Sequence, residues 1–218
     1  MKRRAVRSIV LIGVVLMWLE SAPAQSCPGD FNEDYQVTVD EILKAVNNAL
    51  SGCPVPGARF VDNGDGTITD AMTRLTWEKK DDSGGIHDQD NTYTLSTGDV
   101  SRVDGTAYTV FLATLNQDSF AGWGDWRLPT ISELQSIVDY REFDPASAPA
   151  FNADCRTSEM GNPGCTLATC SCTAPCTYWS PSAYVNLPKH AWNIYFVDGS
   201  LGVSSETEGF CIRAVRSY

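Results

Sequence analysis

Asp30, Asn32, Asp34, Gln36, Thr38 and Glu41 fall at positions one, three, five, seven, nine and twelve of a twelve-residue stretch. A hard cation such as Ca2+ takes six to eight oxygens at about 2.3–2.6 Å, and this spacing wraps oxygen donors round one ion. Gln36 would contribute its backbone carbonyl, and Thr38 would act directly or through water. Three carboxylates and a neutral amide set a charge of about −3 against the ion's +2. Tyr35 stands at the sixth position, where a glycine usually makes the turn. Positive φ there costs a bulky residue about 1–2 kcal/mol. The expected affinity is therefore weak, on the order of 10⁻⁴–10⁻³ M, as in extracellular modules. A competing reading takes Thr38 and Glu41 as a helix capping box. That reading leaves Asp30, Asn32 and Asp34 unexplained.

Other candidates compete with plainer readings. Asp62-Asn-Gly-Asp-Gly66 lacks carboxylates at alternate positions and reads as a hairpin turn. The stretch 81–91 gathers Asp81, Asp82, Asp88 and Asp90 around His87, as a second metal site or a solvated loop. Cys155, Cys165, Cys170, Cys172, Cys176 and Cys211 could suggest zinc, but their spacing lacks the usual paired ligands. In an exported chain an even cysteine count points to disulfides. Six cysteines allow about 15 pairings. Cys211 must reach back, with Cys176 as one candidate partner, while Cys27 and Cys53 bracket the small segment and are expected to pair. That bridge would contribute roughly 3–4 kcal/mol by loop entropy. His87 and His190 have no local serine, cysteine or aspartate arrangement, so no catalytic residue is assigned. Trp77, Trp126, Trp179 and Trp192 sit in apolar alternation and read as core. Trp123, between Gly122 and Gly124, is the best exposed aromatic candidate, and Arg127 reads as a structural donor.

The elements that must position these groups begin with a helix after Glu41, with Ile42, Ala45, Val46, Ala49 and Leu50 on one face. Cys53-Pro-Val-Pro-Gly57 is a stiff linker. Next comes a hairpin over Asn63–Gly66. Leu75 and Trp77 alternate with Thr76 and Glu78, as in a half-buried strand. A helix is predicted over Gly105 to Asn116, and another from Thr130, capped by Thr130 with Glu133. Residues 144–176 are irregular. Strands return at Tyr178–Ser180, at Trp192–Phe196 and after Asp198-Gly199, and Phe210, Ile212 and Ala214 share one face of a last strand. Strands, then two helices, then strands is an α+β order.

The chain has 218 residues and a net charge of −11. Its first 24 residues carry Lys2, Arg3, Arg4 and Arg7 against Glu20, so the remainder carries −14. Nucleic acid requires a basic footprint and is excluded as an expected partner. The basic start, the apolar run Ile9 to Leu19 and Ala22-Pro-Ala24 form a secretory signal. That run is about 11 residues, against about 20 for a bilayer span, so no stable membrane insertion is expected. The divisions are 1–24 signal peptide, 25–53 calcium module, 54–57 linker and 58–218 main domain.

Two resemblances sharpen this. The Asp30–Glu41 loop with its following helix resembles half of a type I dockerin, or a single EF-hand-like repeat. Dockerins use two repeats, which argues against cohesin docking. In order along the main domain come Asn63-Gly-Asp-Gly-Thr-Ile-Thr-Asp70, Leu75-Thr-Trp-Glu-Lys79, Asp125-Trp-Arg-Leu-Pro-Thr130 with Glu133-Leu134, Tyr178-Trp-Ser180 and Ile212-Arg-Ala-Val-Arg216. Together they resemble the C-terminal domain family of the Legionella collagen-like adhesin, over roughly residues 58–217. The resemblance implies an extracellular C-type-lectin-like domain related to the formylglycine-generating-enzyme fold. For the namesake it also implies adhesion to sulfated polysaccharides. The sugar-binding Glu-Pro-Asn motif of C-type lectins is missing; only Trp192-Asn193-Ile194 comes near the second one. The expected function is an exported, non-enzymatic recognition or adhesion protein that binds an extracellular ligand, with a polysaccharide as first candidate and Ca2+ as cofactor. The alternative is an enzyme, or an enzyme accessory, with the small module as its docking tag.

Overall fold

The computed structural model describes residues 58–98, 104–155 and 165–218, together with Ile42 and Val46. Strands β1 (Phe60–Asp62), β2 (Thr67–Asp70) and β3 (Leu75–Glu78) form an antiparallel meander that β7 (Val215–Ser217) completes in the order β1-β2-β3-β7. A second antiparallel sheet runs β4 (Thr177–Ala183), β5 (His190–Tyr195) and β6 (Ser200–Ser205). The helices are short: a π-helical turn Ala107–Leu112 leads into α1 (Ala113–Gln117), and α2 is Ile131–Gln135. The result is a small mixed fold of two antiparallel sheets and few helices.

Local chemistry explains the elements. The β1–β2 turn is held by Asn63, whose backbone N–H donates to Thr67 O at 3.0 Å and whose amide donates to Thr67 and Thr69 hydroxyls. Thr130 and Glu133 cap α2 reciprocally, satisfying two N–H groups that the first helical turn leaves free. The helix predicted from Gly105 opens as a π-helical turn instead. Gly105 is pressed against the backbone of Thr94 and Leu95, where a Cβ would overlap main-chain atoms. Ala107 N–H donates to Thr94 O at 3.0 Å, which ties the start of the turn to that segment.

Other expectations need correcting. β3 is not half-buried, because Thr76 and Glu78 are as enclosed as Leu75 and Trp77. The first half of β4 behaves likewise: Tyr178 enters one apolar cluster with Trp77 and Phe151, while Trp179 enters another with Phe111 and Trp126. Strands covered on both faces lose the polar alternation that a single-faced sheet would show. Trp192 is not core. It is partly exposed and meets Tyr184 edge to face at 5.2 Å. Asn193 is the buried residue beside it, and Gly202 leaves the space its amide occupies. The last strand begins only at Val215, while Phe210 and Cys211 make isolated bridges to Tyr93 and Tyr178.

Candidate functional site

The calcium-loop residues Asp30, Asn32, Asp34, Gln36, Thr38 and Glu41 lie outside the described residues, as do Cys27 and Cys53. Ile42 and Val46 are helical and about half exposed. The six other cysteines pair as Cys155–Cys172, Cys165–Cys170 and Cys176–Cys211. Cys211 does reach back to Cys176, and that bridge crosses between the chain end and the start of β4. Arg127 is a structural donor: its guanidinium meets Glu133 with two bonds of 2.7 and 2.8 Å. The same Glu133 completes the α2 cap, and the guanidinium holds its carboxyl below the usual range.

In the acidic stretch, carboxylate oxygens of Asp82, Asp88 and Asp90 all lie within 4.8 Å of one another. Burial raises the Asp90 carboxyl, and the charges of Asp88 and Asp82 raise it further. Asp88 already accepts backbone N–H groups on both oxygens, from Gly84 at 2.6 Å and Asp90 at 2.9 Å. These bonds explain the loop as a turn. His87 turns inward, with Nδ1 2.8 Å from Glu78 Oε1.

Glu78 is the hub of a buried charge cluster. Its carboxylate lies 3.0 Å from Lys80 Nζ and accepts Ala214 N–H at 2.8 Å. Burial pushes Glu78 up, but Lys80 and His87 outweigh it and hold it below its ordinary value. Burial lowers Lys80 against the pull of Glu78. Arg213, 1% exposed, donates to Glu78 O and Thr173 Oγ1 at 2.8 and 3.0 Å, and to Cys172 O. Glu78, Lys80 and Arg213 are shut inside the core, where Arg213 Nε has no hydrogen-bond partner among the described residues and the Lys80 ammonium meets Glu78 as an ion pair.

The surface shows a different arrangement around Trp123. At the end of α1, Asn116 clamps the backbone of Trp126 in both directions, accepting its N–H at 2.7 Å and donating to its carbonyl at 3.0 Å. Trp126 Nε1–H donates back to Phe120 O at 3.0 Å. Between these anchors the chain makes a tight excursion. Ser119 and Ala121 take left-handed φ of 50° and 53°, followed by Gly122 at 82°. Each of the two non-glycine residues costs about 1–2 kcal/mol in that conformation. The excursion places Trp123 on the surface, 50% exposed. Its ring lies 3.9 Å from the Arg216 guanidinium. Arg216 is held by Asp125, with contacts of 2.7 and 3.3 Å, and the Asp125 carboxyl is correspondingly lowered. Asp125 sits beside β7 because Arg127 and Val215 exchange backbone hydrogen bonds at 2.8 and 3.0 Å. An indole propped from one side with half its surface open can stack on an apolar sugar face or another planar group, and the adjacent carboxylate can accept hydroxyl donors. Sequence reasoning selected Trp123 through its flanking glycines but missed Arg216, whose only signal was its place in Ile212–Arg216.

Two antiparallel sheets, three disulfides among the described residues and a propped surface indole define a disulfide-braced mixed domain. The chain belongs to the Lcl C-terminal domain family, whose model matches residues 66–216. No curated protein and no solved structure is significantly similar to it.

Proposed function

We propose that this chain is an exported recognition or adhesion protein whose main domain, of C-type-lectin-like type, binds a carbohydrate through the Trp123 platform without turning it over. The observation that carries the reading is Trp123 itself. A half-exposed indole is held by a turn with two non-glycine left-handed residues and backed by the Arg216–Asp125 pair. Such local strain persists only where surrounding structure enforces it, and it concentrates at binding sites. Binding without turnover is supported by the engagement of reactive groups elsewhere. The described cysteines are bridged, His87 bonds a buried carboxylate and His190 bonds Pro188 O. The signal-like first 24 residues support export, and no described helix is long and apolar enough to cross a membrane. The oxygen spacing of Asp30, Asn32, Asp34, Gln36, Thr38 and Glu41 supports a weak Ca2+ site in the small module.

A glycan array probed with residues 25–218, with and without calcium, tests the reading. Saturable binding that Trp123→Ala abolishes is the expected result. Release of product from any bound glycan would overturn the non-enzymatic reading. Binding that ignores Trp123→Ala would move the site elsewhere. Sulfated glycans are expected to bind less well than neutral ones, because the exported chain carries −14.

A further inference from the structure

Away from Trp123, the irregular segment after α2 folds around a cavity of about 410 Å³. The exposed acidic residues Glu142 and Asp154 line it, together with Ser147 and Asn152. Ser147 is 1% exposed, and its Oγ has no hydrogen-bond partner among the described residues; Asn152 Oδ1 is also buried and unpartnered. Buried polar side chains are nearly always hydrogen-bonded, so two unpartnered oxygens at one cavity call for an explanation.

The backbone holds these groups in place. Ala146 N–H donates to Phe196 O at 2.6 Å and Ala148 N–H to Ile137 O at 2.8 Å, pinning Ser147 from both sides. Ser171 N–H donates to Ala153 O at 2.8 Å, and Cys155 is tied to Cys172, so Asp154 is fixed between two anchors. Asp154 itself sits at φ 56°. Among the described residues, no lysine, arginine or histidine lines the cavity. The nearest guanidinium in sequence, Arg141, is committed to Asp139 by bonds of 2.7 and 2.9 Å.

We propose that this cavity binds a primary ammonium group carried on a carbon chain or ring, as in a lysine side chain or an amino sugar. Two carboxylates and a carboxamide oxygen are acceptors, and an ammonium brings three donors and a positive charge. The remaining walls decide against a bare metal ion. Among the described residues Pro145, Pro149 and Ala153 present carbon to the cavity, which a hard cation that takes only oxygen ligands would leave unused. A carbon skeleton uses such walls and an ion does not. The cavity lies within the size range of small-molecule sites, about 300–1,000 Å³.

Calorimetry and saturation-transfer NMR on the full exported chain test this site separately from Trp123. The amine probes are Nα-acetyl-lysine methylamide and glucosamine. Their neutral matches are the Nε-acetylated lysine derivative and N-acetylglucosamine, with calcium chloride as the metal arm. Both amines are expected to bind, with the tighter one identifying the source, and each neutral match is expected to lose about tenfold or more. Glu142→Gln combined with Asp154→Asn should produce a similar loss. Both side chains are exposed and the changes nearly isosteric, and an unchanged near-ultraviolet circular dichroism spectrum confirms the fold. Asp118→Asn, an exposed carboxylate that does not line the cavity, should leave binding unchanged. Equal binding of the neutral probes, absence of amine binding, calcium binding that amines do not displace, or an equal loss in Asp118→Asn would each overturn the proposal.

Discussion

Arg213 and Arg216 lie three residues apart near the chain end, and each sits over an aromatic ring: Arg213 over Phe151 at 5.2 Å, Arg216 over Trp123 at 3.9 Å. An odd spacing sends two side chains to opposite sides of an extended chain. Arg213 goes inward, to the backbone carbonyls of Glu78 and Cys172 and to the Thr173 hydroxyl. Arg216 goes to the Asp125 carboxylate, whose side chain is 59% exposed. Both arginines are nearly buried, at 1% and 6%. What separates them is the surroundings of their partners. A cation whose acceptors are all interior serves packing. A cation whose aromatic and carboxylate partners both meet water props up a surface that something else can touch.

The largest effects should fall on the interior arginine and its neighbours. Glu78→Ala leaves Lys80 buried without its carboxylate, and removing one partner of a buried pair typically costs about 3–5 kcal/mol. Arg213→Ala, which strands three acceptors, belongs in the same range. Denaturant unfolding of the purified chain measures both; a loss below 1 kcal/mol for either would mean that water reaches the cluster. The same carboxylate makes stability depend on pH. Glu78 is held below its ordinary value of 4.5, and Asp70, despite its burial, is held below 3.8 by Arg59. A carboxyl with a depressed native pKa stabilises the fold above its unfolded pKa, and that contribution disappears as pH falls through the native one. Stability should therefore be level near neutrality and fall below about pH 4.5. Glu78→Gln should flatten that fall.

The difference between the two arginines was only half legible in the sequence. The capping box of α2 and the Asn63–Gly66 hairpin were readable because their chemistry is local, with donors and acceptors within a few residues. Trp123 was readable because glycines flank it. Glu78 was misread as an outward residue of β3, because alternation assumes that one face of a strand meets water. Lys80 is only two residues on, but His87 returns from the following loop and Ala214 from 136 residues away, so the burial that couples them is not a local signal. The oxygen-lined cavity had no sequence signal either, because Glu142, Ser147, Asn152 and Asp154 share no spacing that a helix or strand would bring to one face.

An intermediate effect is expected at the surface arginine. Arg216→Ala removes a guanidinium that is almost buried, yet Asp125 can turn to water and Trp123 can settle onto the vacated space. A cost of about 1–2 kcal/mol follows from the lost ring contact and a partly exposed ion pair. Glycan binding should fall more than stability does. If stability falls as far as in Arg213→Ala, Trp123 is a lid on the core and the distinction between the two arginines collapses.

The smallest effect on folding, and the sharpest on the comparison, belongs to Asp125→Asn. The amide keeps the size of the side chain and one acceptor while removing its charge. Because the Asp125 end of the pair is open to water, its charge should contribute about 0–1 kcal/mol and be weakened by salt, so the melting temperature should barely move and most of the change should vanish at high ionic strength. Arg216 would then be less firmly oriented under the indole. Tryptophan emission should report this, because Trp77, Trp126 and Trp179 are buried and Trp192 is partly covered, leaving Trp123 as the most exposed described indole. The expected outcome is a shift in the exposed, quencher-accessible fraction of emission with unchanged stability. Unaltered quenching would show that Asp125 does not set the Trp123 platform, and would leave the Arg216 contact and the strained turn at Ser119–Gly122 as its supports.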